Sequence, residues 1–150
     1  MFKEDVSTKG VIHLLARHAD GTIFYDRTIT NTVVAAGKAV MAALVYGSGT
    51  AFTAMALGIG TPSTTALGSE CTTNGGTRRS GANVTLTIPN TSTSQWVSTF
   101  TFTGSLAITE EGLFNSASSS AGTMLASQSF SVINVINTDT LQITHQVSFS

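Results

Sequence analysis

Two adjacent carboxylates, Glu110 and Glu111, stand in the stretch Ile-Thr-Glu-Glu-Gly-Leu-Phe-Asn at positions 108–115. Paired carboxylates are the tools of acid/base hydrolysis, and retaining glycosidases hold theirs about 5 Å apart with a sugar between them. Neighbours in a strand project to opposite faces, so these two converge on one substrate only if a bulge intervenes. The other acids, Glu4, Asp5, Asp20, Asp26, Glu70 and Asp139, are scattered without a motif. His13, His18 and His145 lack metal-ligand spacing, and Cys71 has no Cys-x-x-Cys partner, so no metal site is expected. The chain has 18 Ser and 25 Thr but no Gly-x-Ser-x-Gly elbow, and Gly58 and Gly60 belong to no phosphate-cradling motif and read as turn residues. These residues predict a protein that is no enzyme and carries no catalytic residue and no cofactor.

Period and punctuation define the elements that would carry them. Residues 11–30 read as a β-hairpin turning at Ala19-Asp20-Gly21, because Asp-Gly supplies the positive φ of a tight turn. Val33, Gly37, Val40 and Leu44 recur at helical spacing, which predicts one helix over about 32–46, with Asn31 as N-cap, Gly47 as stop and Gly37 packed closely on a strand. Phe52 to Leu57 reads as a buried strand, and the Thr/Ser/Gly-rich stretch 61–82 as a long loop with Arg78 and Arg79 in it. Strands then follow one another, with Trp96, Phe100 and Phe102 on one face and Leu141, Ile143, Val147 and Phe149 on another. His145 shares the parity of that last set, which predicts a buried or boundary imidazole bonded to backbone in preference to a pH-sensitive contact. The fold class expected is mainly β, a sandwich or jelly-roll-like domain of about eight strands with one helix.

Composition narrows the function classes. The chain has 150 residues, enough for one domain to bury a core without disulfides, and its single cysteine cannot form an internal one. Charged residues make up 10% and the net charge is -1, so no basic field favours nucleic acid. The opening Met-Phe-Lys-Glu-Asp-Val-Ser-Thr-Lys-Gly contains no apolar run of signal-peptide length, and no segment approaches a membrane span, which predicts no membrane partner and assembly in a reducing cytoplasm. Residues 1–10 read as a polar arm, with Phe2, Lys3, Glu4 and Asp5 as contact candidates, ahead of a single domain over 11–150. Arg78 and Arg79 divide between a solvated loop tip and an intersubunit contact, and Glu110 and Glu111 read as residues of a strand bend and of a seam between subunits.

The ordered blocks NTVVAAGKAVMAALV, MALGIGTPSTTALGSE, ITEEGLFN, GTMLASQSF and LQITHQVSF resemble a family of small virion proteins of tailed bacteriophages, over about residues 10–149. The resemblance implies a structural component of the virion: a capsid decoration (cement) protein on the outer capsid surface, bound to the major capsid protein as a homo-oligomer, with a trimer favoured. Similar Glu-x-Gly-Leu-Phe strands in collar and tail-fibre-attachment domains make a tail component the alternative, and a virion-surface carbohydrate-binding domain is the second. One departure stands out: that family commonly carries Trp in the last strand, where this chain has His145.

Overall fold

The computed structural model describes residues 7–150. β1 (Thr8–Arg17) and β2 (Ile23–Val33) form the expected hairpin, with Gly21 at φ +88° in its turn. The Thr22 N–H, 2.8 Å from Asp20 Oδ1, closes that turn and holds the Asp20 carboxyl below its usual pKa. Alternation sets which way β1 faces: Ile12, Leu14 and Ala16 are fully buried, and the residues between them are half-buried.

β2 does two jobs along its length. Residues 23–31 pair with β1, and Thr32 and Val33 pair instead with β8 (Met124–Val135). The remaining strands are β3 (Ala54–Gly58), β4 (Arg79–Ser80), β5 (Thr85–Asn90), β6 (Thr93–Thr101), β7 (Leu106–Phe114) and β9 (Thr140–Phe149). The nine strands among the described residues make one antiparallel sheet in the order β4-β3-β7-β8-β2-β1-β9-β6-β5. Eight have five residues or more and β4 has two, in keeping with the expected count of about eight.

The sheet curls on itself. β7 and β9 are separated by three strands in the sheet order, yet Glu111 of β7 touches His145 of β9 at 3.0 Å. Contact over that sheet distance requires the two halves to face each other, so the sandwich-like core is one sheet folded over. Between the halves lie Leu14, Phe100, Phe102, Leu141 and Ile143 from one side and Met55, Leu57, Ile108, Leu113 and Ile133 from the other. Trp96, Phe100 and Phe102 belong to this interior, as their shared parity predicts.

One α-helix is present among the described residues, α1 (Ala35–Val45), and it starts later than its period suggests. Asn31 is a strand residue and caps nothing; the N-cap position falls to Val34, which makes no side-chain cap bond. The β-branched Thr32 and Val33 are held in the ladder with β8, which postpones the helix. Gly37 seats α1 on β8: a Cβ there would lie 2.5 Å from Leu125 Cα, a contact only glycine permits. The expected arm over 1–10 is strand from Thr8 onward, and its first six residues, including Phe2, Lys3, Glu4 and Asp5, lie outside the described residues.

Candidate functional site

The acids of β7 are the first test of chemistry, and both are fully buried. A bulge separates Ile108 from Glu110 in the pairing with β8, but Glu110 and Glu111 still project to opposite sides of β7. Glu110 turns toward the covering loop, where its carboxylate accepts the backbone N–H groups of Gly60, Gly68 and Ser69, each at 2.9 Å. Gly58 and Gly60 contribute more than turns, because a Cβ on Gly58 would fall 2.3 Å from Glu110 Oε1 and one on Gly60 would fall 3.1 Å from it. Glu110 is therefore a fastener for the loop after β3, occupied by its own chain.

Glu111 points into the core and meets His145. His145 Nδ1 lies 3.0 Å from both Glu111 carboxylate oxygens, and both side chains are fully buried. Nε2 of the same ring faces Asn31 Nδ2. In this arrangement Nδ1–H donates to the carboxylate and the Asn31 amide meets the other ring nitrogen, so both nitrogens of the ring have partners. Trp96 stands edge-on to the ring at 6.4 Å and donates its own Nε1–H to the Phe52 carbonyl at 2.8 Å. Burial of His145 follows its parity, but its partners are side chains where backbone was expected. The cluster ties β9, β7 and β2 together across the fold.

Arg78 is buried, which corrects both readings of it as a surface residue. Its Nε and Nη2 grip Glu70 at 2.8 and 2.7 Å, its Nη1 donates to the Ser116 and Ala121 carbonyls at 2.9 Å, and its guanidinium lies 3.9 Å above the Phe114 ring. Five donors in a planar fork meet four acceptor contacts, so the pair locks the 61–78 loop onto the 116–122 loop. Arg79 is half-buried, donates to the Gly75 carbonyl at 3.3 Å and lies 5.4 Å from the Phe100 ring centre. The burial of Arg78, Glu110 and Glu111 removes them from any contact surface of this fold. His18 Nδ1 pairs with the buried Asp139 at 3.0 Å, and Asp139 also accepts the Ile136 N–H.

Cys71 is buried, and its thiol is pushed up to about 11, first by burial and then by the charges of Glu110 and Glu70. At neutral pH it is a thiol and a poor nucleophile. Among the described residues, no group of three His, Cys, Asp or Glu is placed to hold a metal ion, and no helix is long and apolar enough to cross a membrane. No family model, curated protein or solved structure matches the chain significantly.

Sequence reasoning missed two features. The Glu70–Arg78 grip joins residues of an aperiodic loop, where no spacing rule signals a pair. Exposed apolar side chains also collect on one face, at Leu44, Val45 and Tyr46 of the helix end and at Leu86 and Ile88 of β5. The signal was present in β5, whose uncharged Thr-Leu-Thr-Ile-Pro-Asn run carries, next to its last residue, a proline suited to an edge.

Proposed function

We propose that this protein is a capsid decoration (cement) protein of a tailed bacteriophage, bound to the outer shell and bridging major capsid protein subunits. The reading is carried by the order of the virion-like blocks, among which Ile-Thr-Glu-Glu-Gly-Leu-Phe-Asn holds two acids that are committed to partners inside the fold. Glu110 fastens a loop and Glu111 fastens the two halves of the sheet, a use of carboxylates that favours rigidity over turnover. A rigid slab suits an adhesive role: each copy spans neighbouring subunits, and many modest contacts sum to large avidity against the outward pressure of packaged DNA.

The test is saturable binding of the purified chain to undecorated shells of the phage that encodes it. Binding in proportion to shell subunits, with increased resistance of the shells to rupture, is the expected result. Binding confined to tails or to collars transfers the protein to the tail reading. Absence of binding to any virion part, together with retention on immobilised glycans, supports the carbohydrate-binding alternative.

A further inference from the structure

Three hollows on one face run into one another. The first, about 340 Å³, lies between Leu86, Ile88 and Trp96. The second, about 310 Å³, lies between Leu44, Phe52, Trp96 and Phe149. The third, about 340 Å³, lies between Met41, Val45 and Phe149. Phe52 and Trp96 are shared by the first two, and Met41, Val45 and Phe149 by the last two, so the floor is one apolar trough from β5 to α1. Lys38 is the one charged residue among the described residues that line it.

The rim is apolar as well: Leu44 is 37% exposed, Val45 92%, Leu86 51% and Ile88 76%. Taking on the order of 200 Å² for a large side chain, those four expose roughly 500 Å² per copy. Half-buried Met41 and Phe149 and the exposed Tyr46 add to it, which brings the face toward the about 800 Å² that each partner contributes to a stable interface. A patch of this size on a soluble protein marks an interaction site.

β5 is also an edge of the sheet. It bonds to β6 on one side, and among the described residues no strand pairs with its other side. Monomeric β proteins commonly protect such an edge with charged side chains, whereas β5 has none and is blunted only toward its end, by Pro89 and by the irregular pairing between Thr87 and Asn90. A ridge without charge meets a trough whose one charged lining residue is Lys38, so no cation is brought against that lysine by a second copy, and each copy supplies both halves of a complementary contact.

We propose that this face is an interface between copies of this chain, with the β5 ridge of one copy, Leu86 and Ile88, seated against the apolar trough of the next. The contact stands on this face alone and does not rest on the virion reading. Closure about a two-fold axis gives a dimer and about a three-fold axis a trimer, and the measured mass distinguishes them.

The experiment is light-scattering mass of the full chain from about 1 to about 100 μM, where mass action exposes a reversible assembly. Wild-type protein is expected to assemble, and Ile88→Lys and Leu86→Lys to weaken assembly by about 30-fold or more, as loss of a central contact does. Ile136→Lys, at a residue 56% exposed in the β8–β9 turn, is expected to assemble as wild type. As a measurement free of substitutions, amide exchange over Thr85–Ile88 in wild-type protein is expected to slow with rising concentration. A wild-type monomer throughout that range, an assembly indifferent to both β5 lysines, or exchange in β5 independent of concentration overturns the proposal.

Discussion

The His145–Glu111–Asn31 cluster shows how a single imidazole can hold a β fold closed. A carboxylate taken out of water is costly unless it is paired and hydrogen-bonded, and here the pairing is completed by a residue from the opposite half of the sheet. Glu111→Ala should destabilise the protein by about 3–5 kcal/mol, read as a lower urea midpoint with an unchanged slope. Replacing the pair with apolar residues, Glu111→Leu with His145→Phe, should recover part of that loss, and adding Asn31→Leu should recover more, since Asn31 would otherwise keep a buried amide without its His145 partner. His145→Trp alone should behave like a broken pair, because Glu111 would lose the Nδ1–H donor that its carboxylate meets. Cys71 gives a second residue-scale prediction. With its thiol raised from 9.0 to about 11, folding favours the protonated form. That contribution is fully present below about pH 9 and declines as pH rises through 11, so stability should fall across this window in wild type and less in Cys71→Ala. Alkylation of Cys71 at pH 8 should run on the order of 100-fold slower in the folded protein than in urea.

At the scale of elements, Glu110 and Gly37 are the junctions that hold unlike pieces together. Glu110→Ala removes the acceptor of three backbone N–H groups, and hydrogen bonds to a charged group contribute about 1.5–3 kcal/mol each. The expected outcome is faster amide exchange at Gly60, Gly68 and Ser69, with the β1–β2 hairpin unchanged. Gly37→Ala drives a methyl into the Leu125 backbone and should cost about 1–3 kcal/mol in thermal or urea unfolding. Much of this layer was legible in the sequence, for identifiable reasons. Asp20-Gly21 announces a hairpin through its need for positive φ, and Trp96, Phe100 and Phe102 announce a buried face through parity. The helix start was obscured because Asn31, Thr32 and Val33 suit a cap and a strand alike, and the long-range ladder to β8 decides between them. The grip of Arg78 on Glu70 and the three donors on Glu110 were illegible for a related reason: their partners lie in irregular loops, where sequence distance carries no periodic signal.

At the scale of the molecule, one sheet curled over a shared core, fastened by Glu111–His145 across it and by Glu110 and Arg78 on its covering loops, makes a stiff body. Stiffness matters for an adhesive, because contacts ordered in advance forfeit less free energy on binding. Removing residues 1–6 leaves every described strand intact, and in the decoration account it should weaken attachment to the shell without lowering the melting temperature; equal affinity of the truncated and full chains would remove the arm from that account. The decoration account is tested most directly by counting copies of this chain in purified particles of the tailed phage that, on that account, encodes it, by quantitative gel staining against the major capsid protein. A decoration protein should be present in hundreds of copies per particle, in fixed ratio to the shell subunits. A dozen copies or fewer, or a chain missing from the particle altogether, would contradict it.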